Sequence, residues 1–143
     1  MRFLELVDVS DEFVSAIWEK VNRSGSFYSI GDGVTRETFR RSLFQSAVVL
    51  QNSDVVIRLD RGKDCVELHP MVFGLEAFRN AQEILDEIEK LCEKLFDGKP
   101  VCCIIPVGMR GARRLALRAG MRKQDEVSRP LSGVVVSCEV YRR

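Results

Sequence analysis

Glu67 and His69 stand two residues apart in the run Cys65-Val-Glu-Leu-His-Pro-Met-Val-Phe73. If that run is a strand, the pleat sends both side chains to one face. An imidazole ionises near neutrality and suits general-base work, and a neighbouring carboxylate can take a proton or hold an ammonium. His69 is the single histidine of the chain, so any base catalysis by imidazole falls to it. The competing reading is structural: a hydrogen-bonded histidine and a paired carboxylate on a sheet. Pro70 donates nothing to a ladder and belongs at a bulge, an unpaired edge or a strand end.

Two other groups of residues carry chemistry. Arg110, Arg114, Arg118 and Arg122 recur every four residues, with Arg113 adjacent. At helical spacing they form one charged stripe, suited to phosphates, an acidic protein or plain solvation, and the lack of interleaved aromatics disfavours nucleic acid. The cysteines at 65, 92, 102, 103 and 138 are odd in number and sit in apolar runs. None stands at metal-ligand spacing, so the expectation is no metal and five buried, reduced thiols. Phe27 and Tyr28, in the Ser- and Gly-rich stretch from Ser24 to Gly33, either line a substrate groove or cap the core.

A chain of 143 residues fits one domain, 1–143, and a formal net charge of +1 argues for no global anionic partner. No apolar run approaches the roughly 20 residues of a membrane span. The charged amino terminus lacks a signal-peptide core, and a cytoplasmic protein with no membrane partner is the expectation.

The elements that must position these residues follow from periodicity. Phe3-Leu-Glu-Leu-Val7 reads as a strand, and Ser10 caps a helix carrying Phe13, Ile17 and Val21. Thr35 caps a second, with Phe39, Leu43 and Phe44. Ala47 to Leu50 and Val55 to Leu59, joined by Asn52-Ser53-Asp54, form a hairpin that the Cys65 to Phe73 strand extends to a meander. Phe78, Ala81, Leu85, Ile88, Cys92 and Leu95 predict one long helix stopped by Gly98 and Pro100. Five consecutive apolar residues from Val101 to Ile105 mark a central strand. Ala112, Leu115, Ala116 and Ala119 make a short helix ending at Gly120, before a weak strand signal near Val127 and a stronger one from Val134 to Tyr141. The order βααβββαβαββ is that of an α/β mixed sheet with helices on both faces.

On Val66 to Val72, Val101 to Ile105 and Ala112 to Met121, this order resembles the GNAT (Gcn5-related N-acetyltransferase) fold across nearly the whole chain. The resemblance implies that the fourth and fifth strands splay, and that the cofactor's pantetheine arm pairs with the exposed backbone of the fourth. It implies acetyl-CoA as cofactor, Glu67 and His69 as candidates for proton transfer, and the Val72 amide as oxyanion donor. Cofactor contacts are implied at Met71, Val72 and Phe73, at Phe78, Arg79, Asn80 and Ala81, and at Gly108 and Arg110. The chain departs from the family pattern in three places. The glycines of the pyrophosphate loop fall on Gln82 and Ile84 in one register, and its small positions on Ala77, Arg79 and Ala81 in the other. The tyrosine that protonates the departing thiolate falls on Ala116, and the asparagine opening that helix is replaced near Met109. Two functions are therefore expected. One is an acyl-CoA-dependent N-acyltransferase-like protein with an unknown amine acceptor. The other is a non-catalytic GNAT-fold protein acting through a protein partner, similar to degenerate bacteriophage-encoded members in virions or host cytoplasm.

Overall fold

The computed structural model describes residues 2–24, 34–131 and 133–143. The stretch with Phe27 and Tyr28, expected as a loop, and Ser132 lie outside them. In chain order the elements are β1 (Glu5–Leu6), α1 (Asp11–Ser24), α2 (Arg36–Gln45), β2 (Val48–Gln51), β3 (Val55–Arg61), β4 (Val66–Val72), α3 (Glu76–Arg79), α4 (Ala81–Leu95), β5 (Val101–Pro106), α5 (Arg110–Arg118), β6 (Arg122–Leu131) and β7 (Val134–Arg142).

Local chemistry sets most boundaries. Ser10 Oγ accepts the Phe13 N–H at 3.1 Å and Thr35 Oγ1 that of Thr38 at 3.1 Å, so each hydroxyl satisfies a donor the new helix leaves open. Asn52 Oδ1 accepts from the Asp54 and Val55 amides at 2.7 and 2.9 Å, tightening the β2–β3 hairpin. β1 is shorter than the alternation predicts because the Phe3 and Leu4 amides are taken elsewhere. They donate to the Glu87 carboxylate on α4, at 2.6 and 3.0 Å, as does the Arg2 amide.

Among the described residues the strands form one sheet in the order β1-β2-β3-β4-β5-β7-β6. Only the β4–β5 pair is parallel. On one face, Ile57, Leu59, Val66, Leu68 and Tyr141 pack against Ile84, Leu85, Ile88 and Cys92 of α4 and Ala116 and Ala119 near α5. On the other face Val49, Val56 and Met71 pack against Val14 and Ile17 of α1 and Phe39 and Leu43 of α2. That second core draws on β2, β3 and β4 only. The opposite half of the same face, over β5, β7 and β6, keeps a small cluster of Cys65, Cys102 and Val140.

Three expectations change. The single helix from Phe78 is two helices, broken at Asn80 (φ −101°, ψ 18°), whose side chain is of the type that competes with helical backbone bonds. The weak signal near Val127 is a ten-residue strand, paired along its length with β7 despite its charged sequence. Cys65 and Cys102 are joined by a disulfide, against the expectation of five thiols, while Cys92, Cys103 and Cys138 are free. The parallel register Glu67↔Cys102 brings the two Cα atoms to 6.1 Å across a separation of 37 residues, which spacing in the sequence could not reveal.

Ile88 is 1% exposed in the main core, so Ile88→Ala should cost about 2–5 kcal/mol in urea denaturation. Leu95→Ala on the exposed end of the same helix should stay within about 0.5 kcal/mol. Equal losses would show that α4 does not seat on the sheet by this face.

Candidate functional site

The site begins where the β4–β5 pairing ends. Register pairs exist only at Val66↔Val101 and Glu67↔Cys102; beyond them the two strands diverge. The Val66 amide donates to Pro100 on the β5 side at 2.8 Å, and the Phe73 amide donates to Asp54 next to β3 at 2.6 Å. Backbone groups alternate in direction along a strand. Leu68, Pro70 and Val72 therefore turn their main chain toward the gap, while Glu67, His69 and Met71 are committed to β3. Pro70 has no N–H to leave stranded there. Just beyond the strand, Gly74 lies against Asp54, and a Cβ at that position would lie 2.1 Å from Asp54 Oδ1.

The gap opens into a cavity of about 600 Å³ that threads the sheet. On the α4–α5 face it is lined by Ala77, Ala81, Ile84, Met109, Ala112 and Leu115, and on the opposite face by Glu67, His69, Ile104 and Arg129. Side-chain alternation on β4 produces the division: even positions join the α4 core, odd positions face the α1–α2 side. An apolar passage thus leads through the sheet to a polar mouth.

The register Arg58↔His69 and Asp60↔Glu67 sets four ionisable side chains on one face. Arg58 Nη1 donates to Asp60 Oδ2 at 3.0 Å and to Ser46 Oγ at 3.3 Å. His69 Nε2 lies 3.3 Å from the same Asp60 oxygen. Burial, reinforced by the Arg58 guanidinium, holds the His69 imidazole below its usual value of 6.5, although Asp60 and Glu67 pull the other way. At neutral pH it is an uncharged base beside a carboxylate that can orient it. Arg129 Nη2, brought by the β6–β7 hairpin, lies 2.9 Å from Glu67 Oε1. The pair is close but not aligned for a hydrogen bond, so that buried oxygen has no hydrogen-bonding partner.

The remaining candidates scatter around this centre. Val72 is fully buried, with its amide turned to the gap. Met71 sits in the α1–α2 core and does not border the cavity. Phe73 uses its amide on Asp54, and its ring lies 4.6 Å from Lys20 Nζ. Ala81 borders the cleft, Phe78 packs against the main core, and Asn80 forms the α3–α4 joint. Arg79 is exposed and pairs with Glu76 at 2.5 Å. Gly108 takes a φ of +96° that turns the chain into α5, whose first residue, Arg110, is exposed. Ala116 is buried in the core, and the α5 side chains bordering the cleft are Ala112 and Leu115. Tyr141 is 1% exposed, and its hydroxyl donates to Glu139 at 3.0 Å, away from the cleft.

Sequence reasoning missed Arg58, Asp60 and Arg129. Val-Val-Ile-Arg-Leu-Asp-Arg in β3 did carry a signal, since Arg58 and Asp60 alternate within an otherwise apolar strand. Arg129 carried none, because only the β6–β7 register places it over β4.

No protein-family model matches the sequence, and no curated protein does. Solved structures do match. One, assigned as a ribosomal-protein-serine acetyltransferase from Vibrio cholerae, superposes with a TM-score of 0.74 at 10% identity, over 99% of this chain and 93% of that one. A GNAT-family acetyltransferase from Bacillus anthracis gives 0.67 at 15% identity, over 98% and 93%. The ribosomal-protein acetyltransferase RimL in complex with coenzyme A gives 0.65 at 13% identity, over 100% and 94%. The chain has the GNAT fold.

His69 generates a pH test. Its native pKa lies below the unfolded value, so between the two the unfolded chain binds more protons and stability rises with pH. The contribution is complete above about pH 6.5 and is lost as pH falls toward the native pKa. Urea denaturation across this window should show that slope in the wild type and a flatter curve in His69→Gln. Identical curves would mean that the imidazole titrates normally.

Proposed function

We propose that the protein is an acyl-CoA-dependent N-acyltransferase-like protein working through the splay. One observation carries this reading: a cavity of about 600 Å³ passes through the sheet where β4 offers unpaired backbone, joining an apolar passage to a base. That volume is in the range of ligand sites. The comparison structures are N-acetyltransferases, one of them holding coenzyme A, which supports the choice of cofactor.

The residues present fit an acyl-CoA thioester in part. The Leu68 carbonyl and the Val72 main chain can pair with the amides of a pantetheine arm, and Ala77 and Ala81 keep the passage wide on the α3–α4 side. When bound, the thioester would supply an activated acyl group. The Val72 N–H would then support negative charge developing on the acyl oxygen. An amine enters from the opposite face, where Glu67 can hold its ammonium form and neutral His69 can take its proton, directly or through one water. Asp60 orients the imidazole. No side chain supplies a proton at the positions of α5 that border the cleft, so the leaving thiolate draws on solvent. The α3–α4 joint has no glycine cradle for a pyrophosphate, and Glu76 and Glu83 near it oppose phosphate charge.

Weak binding and slow turnover follow. Acetyl-CoA at about 100 times its Kd should stabilise the protein by roughly 2.7 kcal/mol in denaturant titrations. Ala112→Trp, filling the passage from α5, should abolish that stabilisation in a folded protein. Turnover should fall about 10²- to 10⁴-fold below that of an enzyme with a positioned acid. A millimolar titration with no stabilisation, beside a responding acetyltransferase control, would leave the non-catalytic, protein-binding alternative standing.

A further inference from the structure

A second cavity, of about 370 Å³, lies on the α1–α2 face beyond Glu67, over the half of the sheet that those helices do not cover. Its walls are the β3–β4 turn (Lys63, Asp64), the neighbouring strands, and β6 and β7 (Asp125, Arg129, Arg142). It shares Glu67, Ile104 and Arg129 with the cleft, so the Glu67–Arg129 pair is the partition between the two.

Among the described residues, two buried side-chain polar atoms have no hydrogen-bond partner, Glu67 Oε1 and Arg142 Nε. Both residues line this cavity. A buried polar group without a partner is costly, and native structures keep few of them. The two orphans are also opposite in sense: a carboxylate oxygen that needs a donor, and a guanidinium N–H that needs an acceptor. Counted together, the charged wall residues are Lys63, Arg129 and Arg142 against Asp64, Glu67 and Asp125, balanced in sign.

We infer that this cavity binds a small zwitterion of the amino-acid class, with its ammonium on Glu67 and its carboxylate on Arg142 and Lys63. A simple anion would leave the Glu67 oxygen without a hydrogen-bond donor, and a simple amine would leave Arg142 Nε without an acceptor. Because Glu67 is the shared wall, the ammonium lies at the mouth of the cleft. Resting on the acyl-transfer reading above, this makes the zwitterion the acceptor and the cavity its subsite.

The test separates the two readings by omitting coenzyme A. Amide NMR spectra of the full chain are recorded with millimolar L-alanine, and in parallel with propionate and with ethylamine. Alanine should perturb Gly62 to Cys65, Gln124 to Arg129 and Arg142, and should bind about tenfold or more tightly than either half-molecule, the loss expected on removing a charge-assisted hydrogen bond. Arg142→Met should weaken alanine at least as much in a spectrum that remains dispersed, and Lys63→Met, on the exposed turn, gives a second variant with less risk to folding. No perturbation at these residues, water alone filling the cavity, or equal response to propionate overturns the proposal. With acetyl-CoA then added, alanine binding without its acetylation would overturn the acceptor assignment while the site stood, and the absence of transfer to any amine offered would overturn the acyltransferase reading. Transfer to other amines with no response to alanine would overturn the site and its acceptor assignment while the acyltransferase reading stood.

Discussion

A buried backbone N–H or C=O must find a partner, and in the middle of this sheet a run of them does not. β4 and β5 stay in register at two positions and then part, although each remains paired on its far side, with β3 and β7. The surroundings answer that constraint. Pro70 removes one donor from the open edge, the α3–α4 joint leaves small alanines beside it, and the apolar face of α5 lines its other wall. A mid-sheet opening of this kind persists because the sheet is anchored outside it, by β3 on one side and β7 on the other.

The two faces of the sheet are unequal. α4 and α5 span the opening on one side, while α1 and α2 cover only β2, β3 and β4 on the other. Charged side chains collect at the border between the covered and uncovered halves, supplied by β3, β4 and the long β6–β7 ribbon. The ionisable cluster therefore sits on the thin side of the sheet, with the apolar passage behind it. Arg58 and Asp60 hold His69 from the adjacent strand, so the orientation of the base rests on β3–β4 register rather than on a loop.

Much of this was legible in the chain. Alternation in β4, the apolar run of β5 and the three- and four-residue steps of α4 gave the layers, because burial on one face leaves a periodic trace, whereas the splay came only with the resemblance to the GNAT fold. That Glu67 and His69 share a face was legible since both lie on one short strand. Asp60, Arg129 and the Cys65–Cys102 bond were not, because each depends on which strand lies beside which, and pairing across 37 residues leaves no local signature. The break at Asn80 was missed for a related reason: the apolar period runs straight through it, and only the main-chain conformation changes.

The bond between Cys65 and Cys102 closes a covalent ring that contains β4, α3, α4 and the first residues of β5. Both walls of the opening near its closed end, and the helix behind it, belong to that ring. A protease nick at the α3–α4 joint would sever the chain yet leave the two fragments tied together at the narrow end of the wedge. A ring of this size restricts the unfolded chain and contributes on the order of 2–4 kcal/mol. In a reducing compartment the same wedge would be held by packing alone.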